Sequence, residues 1–168
     1  MMAADDEPER IFQQAIRFHR AQRLLMESSP NDQRGALVYP ICVLAAFTIE
    51  LLLKCLIRIE GGAPPREHDL LCLFNLLSAP TRERLEAMWR DYVQHRVEAF
   101  RQDGMMIEPE LTEALAAGRK GFEVIRYAHE EPEEECVFYL TALPNMLFTV
   151  AFVLRPDWAQ EGPAECSC

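Results

Sequence analysis

The sequence predicts an all-α fold, an up-and-down bundle of about five to six helices. Three observations carry that expectation. Apolar residues recur at helical spacing along almost the whole chain. Stop and start signals cut the pattern into helix-sized pieces. No stretch alternates apolar and polar residues as a half-buried strand would, although Val137-Phe138-Tyr139-Leu140 reads as a strand if taken alone. A first helix spans about Pro8 to Glu27, with Ile11, Ala15, Ile16, Phe18, Leu25 and Met26 on its apolar side and Arg17, Arg20 and Arg23 outside. Ser28-Ser29-Pro30-Asn31-Asp32 breaks it. A second helix runs from about Tyr39 to Glu60, with Pro40 in its first turn, where no donor is lost, and Gly61-Gly62 as its stop. After Pro64-Pro65, a short helix covers Asp69 to Leu77, with Asp69 as its N-cap. Ser78-Ala79-Pro80-Thr81 opens a fourth helix that reaches about Gln102, with Leu85, Trp89, Tyr92 and Ala99 on its apolar face. Pro109 opens a fifth helix to about Glu130, weakened by Gly118 and Gly121, with an apolar face of Leu111, Leu115, Phe122 and Ile125. The last helix is Cys136 to Leu154. Residues 1–155 form one domain and residues 156–168 a flexible tail.

A chain of 168 residues with 49% hydrophobic and 26% charged residues can bury a real core. Its formal net charge of −10 argues against a surface built to coat nucleic acid or an anionic membrane. A local basic patch remains compatible with that balance, because 15 of its 17 basic residues are arginines, which suit bidentate contact to carboxylate or phosphate. The acidic start, MMAADDEPER, does not read as a secretory signal. The six cysteines (Cys42, Cys55, Cys72, Cys136, Cys166 and Cys168) are therefore expected as buried, reduced thiols of a cytoplasmic protein, with the terminal Cys-Ser-Cys in the frayed tail. The uncharged run Val137–Leu154 is at the short limit for a bilayer span. With Pro144-Asn145 inside it, it reads as a buried bundle helix, and no membrane partner is expected.

The second helix is apolar on nearly all sides except for one stripe: Glu50, Lys54 and Arg58, spaced i, i+4, i+8. Such a stripe faces solvent, another polar cluster or a groove. Beyond the Gly-Gly stop, His68-Asp69 opens the next apolar run. The arrangement A-A-F-x-x-E-L-x-L-K (Ala45–Lys54), then Gly61-Gly62, then H-D-L-x-x-L-F (His68–Phe74) resembles the HEPN family, the higher eukaryote and prokaryote nucleotide-binding domains. The later F-E-x-x-R-Y-x-x-E (Phe122, Glu123, Arg126, Tyr127, Glu130) looks like a segment of some bacterial members. The resemblance covers about residues 37–154. It implies a small helical bundle, commonly a homodimer, that binds nucleotide or RNA. In many members it is a metal-independent ribonuclease of a toxin–antitoxin, phage-defence or RNA-processing system, with a cognate antitoxin or other protein as partner.

The resemblance also implies an Arg followed four to six residues later by His. Here Arg90-Asp91-Tyr92-Val93-Gln94-His95 fits, with the polar Asp91 after the arginine. The chemistry is coherent: His95 would move protons near neutral pH and Arg90 would hold the phosphate as charge builds. On a helix the two lie roughly 140° apart, so they converge only at a partner interface or at a break in the helix. A second pair, Arg126 and His129, sits on or next to the apolar face of the fifth helix. It is expected to join Glu50, Lys54, His68 and Asp69 in an inter-helix polar cluster, either a ligand site or a buried ion network that fixes helix register. No Gly-rich phosphate loop, H-E-x-x-H, paired C-x-x-C or Gly-x-Ser-x-Gly is present, so neither a metal nor any other cofactor is expected. The alternative is a non-catalytic helical module for protein–protein interaction, whose charged cluster is structural.

Overall fold

Ile49, Leu52, Leu53 and Leu56 fall at i, i+3, i+4 and i+7, and Ala45, Thr48, Cys55 and Ile57 fill the remaining sides. A helix that apolar must be enclosed. In the computed structural model, which describes residues 6–28, 34–102, 107–118 and 139–159, this helix is the centre of the bundle. The described residues form α1 (Asp6–Ser28), α2 (Arg34–Ile59), α3 (Leu70–Asn75), α4 (Ala79–Gln102), α5 (Leu111–Gly118) and α6 (Leu143–Leu154). Short 3₁₀ turns at Tyr139–Ala142 and Pro156–Ala159 flank α6, and no strand occurs among the described residues. α2 packs along the length of α1 and also touches α6, α3 and the first 3₁₀ turn. α4 closes the bundle against α6 and α5. Ile49, Leu52, Leu53 and Leu56 are each at most 1% exposed.

The all-α bundle is as expected, and its departures from the sequence reading are local. α2 begins at Arg34, so Pro40 lies inside the helix. Proline's fixed φ is already helical. What is lost is the hydrogen bond to the Ala36 carbonyl, and the helix runs through it. α3 is shorter than Asp69–Leu77: Asp69 caps it from outside and Leu76 ends it. The described part of α5 stops at Gly118, and the rest of the fifth helix lies outside the described residues, as do Phe122 and Ile125. Of the last helix, Tyr139–Ala142 is a 3₁₀ turn and α6 starts at Leu143 with Pro144 in its first turn, where proline is tolerated. Residues 136–138 are outside the described set.

The buried faces also shift. In α1 the seam is Phe12 and Ala15, both essentially inaccessible, while Met26 at the far end is exposed. In α4, Val93 joins Leu85 and Trp89 inside, Tyr92 is half-buried and Ala99 is exposed. The Trp89 indole N–H donates to the Glu108 carbonyl at 3.0 Å, tying α4 to the segment before α5. The tail does not begin at residue 156: Trp158 is buried, its ring centroid lies 4.6 Å from that of Phe12, and the Arg155 guanidinium sits 4.6 Å above its indole. Residues 160–168 are outside the described set.

Three cysteines are described, and only Cys55 is fully buried. Its thiol lies 3.3 Å from the Pro8 carbonyl, and burial pushes its pKa up to about 12, so it is an inert core group. Cys72, expected to be buried, is exposed because α3 turns that side outward, and Cys42 is half-buried. Cys136, Cys166 and Cys168 lie outside the described residues. By length and composition, Leu37–Ile59 of α2 could cross a membrane, and half of its most apolar 18-residue window is buried in the bundle.

Two devices join the end of α2 to the next elements of the chain. The Gly62 N–H donates to the Ile57 carbonyl at 2.8 Å and the Gly61 N–H to the Arg58 carbonyl at 3.0 Å, the paired bonds of a Schellman stop. Gly61 has φ of +83°, and a Cβ on Gly62 would stand 2.9 Å from the Ile57 side chain, so the two glycines serve different needs. Just before them, the Glu60 carboxylate accepts from the Ser78 N–H (2.8 Å), the Ser78 hydroxyl (2.7 Å) and the Thr81 hydroxyl (2.6 Å), fastening the end of α2 to the start of α4. Burial alone would raise the pKa of Glu60. The hydrogen bonds from Thr81 and Ser78 outweigh it and hold the carboxyl below its ordinary value of 4.5.

Gly61→Ala is expected to lower unfolding free energy by about 1–2 kcal/mol, read by chemical denaturation, because alanine resists the left-handed region. Glu60→Gln is expected to cost about 1 kcal/mol at neutral pH. A folded pKa below the unfolded one gives stability that is full above the unfolded value and fades as pH falls through the folded value. The gap between wild type and Glu60→Gln should therefore close as pH drops below 4.5 in urea melts run at stepped pH.

Candidate functional site

Three polar regions stand out against the apolar core. The first is on α2. Glu50 projects from the enclosed helix, its side chain only 15% exposed, and its Oε1 receives Lys54 Nζ at 2.8 Å and lies 3.0 Å from His68 Nδ1. Lys54 is also largely buried, at 18% exposed, while His68 reaches in from the loop after the glycine stop and is 77% exposed. One carboxylate thus holds its own helical neighbour and the incoming loop. Asp69 serves a different element: its Oδ1 accepts the Cys72 N–H at 3.1 Å and caps α3. Glu67 Oε1 accepts the N–H groups of His68 (2.9 Å) and Asp69 (3.2 Å), which orients that loop. Arg58, the end of the stripe, turns to Glu7 of α1 at 3.2 Å. Of the expected cluster, Glu50, Lys54 and His68 come together, Asp69 serves as a cap, and Arg126 and His129 lie outside the described residues.

The second region is the outer face of α4. Arg90, Asp91 and every residue from Gln94 to Ala99 are exposed, so beyond Val93 the helix stands clear of the bundle on all sides. His95, 71% exposed, places Nδ1 2.7 Å from the Asp91 carbonyl oxygen and 3.5 Å from the Asp91 carboxylate. A carbonyl only accepts, so Nδ1 carries the hydrogen and Nε2 is left as the acceptor nitrogen of the neutral ring. Arg90 makes no ion pair with a described residue. Because α4 is unbroken from Ala79 to Gln102, Arg90 and His95 keep their roughly 140° divergence within one chain.

The third region was not among the sequence candidates. The seam of α1 continues past Phe12 and Ala15 as His19, Gln22 and Met26, at spacings of 3 and 4, so a polar pair occupies core-facing positions. Gln22 is 1% exposed. Its Oε1 is 3.4 Å from His19 Nδ1, and among the described residues its NH₂ meets only the Met26 sulfur, at 3.9 Å. The His19 ring lies 5.2 Å from that of Phe148 on α6. Burial pulls the His19 pKa below 6.5. A hydrogen bond with Gln22 opposes this, the charge of Arg23 adds to it, and a hydrogen bond with Asn145 opposes it again. The apolar side expected for helix 1 shares Ala15 and Met26 with this seam, and its Ile11 and Ile16 pack half-buried against the core. The available signal was the run 12, 15, 19, 22, 26, in which an apolar seam becomes polar without changing period.

Among the described residues, no three His, Cys, Asp or Glu side chains converge as a metal site. Compared with known proteins, the chain matches no family model, no curated sequence and no solved structure.

Lys54→Met is expected to cost about 1–3 kcal/mol, because it strips a largely buried carboxylate of its main partner. The double variant Glu50→Leu/Lys54→Met is expected to recover most of that loss in the same denaturation assay. Additive losses would instead mean that the pair does not act as a unit.

Proposed function

We propose that this protein is a HEPN-like helical domain of the cytoplasm that binds nucleotide or RNA on the outer face of α4. We further propose that, as a homodimer, it cleaves RNA without a metal in a defence or toxin–antitoxin setting, where a cognate antitoxin would be its partner. The reading is supported by His95: Nδ1–H is fixed on the Asp91 carbonyl and Nε2 is the acceptor nitrogen, the tautomer a general base requires. In this scheme Nε2 takes the proton of a ribose 2′-hydroxyl, the 2′-oxygen attacks the adjacent phosphorus, and the bond from phosphorus to the 5′-oxygen breaks. The imidazolium then protonates the leaving 5′-oxygen. Arg90, exposed and unengaged by described residues, holds the phosphate as charge develops. Its divergence from His95 requires that the Arg90 acting with a given His95 come from a second copy. Family and setting rest on the sequence resemblance at Ala45–Lys54 and His68–Phe74.

A second reading is a non-catalytic interaction module. It is favoured by the Glu50 cluster, in which one carboxylate oxygen is already engaged by Lys54 and His68, as befits a group that secures a loop rather than binds a ligand. An RNA-cleavage assay in excess chelator separates the two. Cleavage by the wild type is expected, with a loss of about 10²–10⁴-fold in His95→Ala and a comparable loss in Arg90→Ala. Activity unchanged in His95→Ala would remove the ribonuclease and leave the interaction module.

A further inference from the structure

The polar end of the α1 seam places a thioether between a buried amide and an open cleft. Met26 is 45% exposed and lines a cleft of about 230 Å³ between α1 and the start of α6. Gln22, one turn earlier, is 1% exposed. Sulfur has no hydrogen to give, so the amide turns its NH₂ to Met26, at 3.9 Å, and its oxygen to His19 Nδ1, at 3.4 Å. A buried primary amide has two N–H donors to satisfy, and among the described residues this one finds only that sulfur. Thioether sulfur is a weak acceptor, and 3.9 Å lies well beyond the ~2.7–3.2 Å of a full N–H···O bond. A desolvated donor is therefore aimed, largely unused, at an atom on the wall of a solvent-reached cleft.

An oxygen attached to that sulfur changes the balance. It stands in the gap between Sδ and the amide nitrogen and is a far stronger acceptor than the thioether, so the amide gains the full hydrogen bond it lacks. We propose that Met26 is a modification site, at which a hydroperoxide oxidises the thioether to the sulfoxide and the Gln22 amide holds the new oxygen. The sulfur lone pair attacks one peroxide oxygen. The S–O bond forms as the O–O bond breaks, and the proton on the transferred oxygen passes to the leaving oxygen. With hydrogen peroxide the leaving group departs as water, sulfur having lost two electrons and the peroxide having gained them. The cleft admits such an oxidant. A water takes about 30 Å³, so a molecule little larger than water fits, and the Arg23–Glu27 pair on the rim, closed at 2.7 Å, leaves no net charge there. The other two described methionines lack this setting: Met146 is 7% exposed in the core, and Met88 is half-buried against it. An added oxygen there would break apolar packing, whereas at Met26 it meets a waiting donor. The change is reversible, because sulfoxide reductases restore the thioether. It is also independent of the α4 face.

The test treats the full chain with limiting hydrogen peroxide. Peptide mass spectrometry follows each methionine, and NMR of the glutamine side-chain NH₂ groups follows Gln22. Met26 is expected to oxidise about tenfold faster than Met146 or more, and ahead of Met88. As it does so, the Gln22 NH₂ signal should move downfield and its protons should exchange more slowly with water. The urea midpoint of wild type should hold on oxidation of Met26, whereas that of Gln22→Leu, which has no donor for the new oxygen, should fall. Met26→Leu alters an exposed residue, so it keeps the test valid should Gln22→Leu not fold, and in it peroxide should leave the Gln22 signal unmoved. Oxidation of Met26 no faster than that of Met146 would overturn the proposal. So would a Gln22 signal that stays in place while Met26 becomes the sulfoxide, or one that moves equally in Met26→Leu.

Discussion

The enclosure of α2 is the constraint to which the other elements answer. Its apolar residues cover nearly the full circumference, so α1, α3, α6 and the first 3₁₀ turn must surround it to remove that surface from water. A helix so placed has almost no room for charge. Glu50 is nevertheless there, and its desolvation is offset only because Lys54 lies one turn along and His68 reaches in from the loop. The loop is brought to Glu50 by the stop that ends α2: Gly61 reverses the chain through a positive φ and Gly62 passes close over Ile57. Centre, stop and charged pair are thus consequences of one packing requirement.

The same requirement moves polar chemistry to the margins. Glu60 leaves the end of α2 and fastens the start of α4, so the base of α4 is fixed while its outer half stands free with Arg90, Asp91 and His95 exposed. On the other flank, the seam of α1 turns polar at His19 and Gln22 where it meets α6, and the two helices part enough to leave a cleft. A rigid centre thus carries an exposed helix on one side and a small polar recess on the other. Function then resides in the sites placed on the bundle, since the bundle itself serves many activities.

Much of the fold is legible in the sequence because its signals are local. Gly61-Gly62, Asp69 and the Ser78–Thr81 start are punctuation whose chemistry acts within a few residues, and all three work as read. The pairing of Glu50 with Lys54 follows from helical spacing alone. Long-range partners are less readable. That His68 meets Glu50 while Asp69 caps α3 depends on how the loop folds back, and that Glu60 caps α4 depends on two elements meeting across 18 residues of chain. The seam of α1 is ambiguous in sequence because Ile11, Ile16 and Phe18 are as apolar as Phe12, and only contact with α6 and Trp158 decides which of them is innermost. Trp158 is hidden in a tail-like stretch for the same reason: its burial is a tertiary contact with no local sign. For the candidate site, the exposure of Arg90 and His95 follows from the pattern of α4, whereas the orientation of the His95 ring on the Asp91 carbonyl does not.

Hydrogen–deuterium exchange of the full chain, with and without single-stranded RNA, probes the enclosed centre and the exposed face in one experiment. The Ile49–Leu56 amides of α2 should exchange only through global unfolding, and the Arg90–Gln102 stretch of α4 should exchange far faster until RNA slows it. If α2 exchanges as readily as the outer half of α4, its place as the centre of the bundle is contradicted. If RNA leaves the α4 stretch unchanged, the proposed binding of RNA at the face that carries Arg90 and His95 is contradicted.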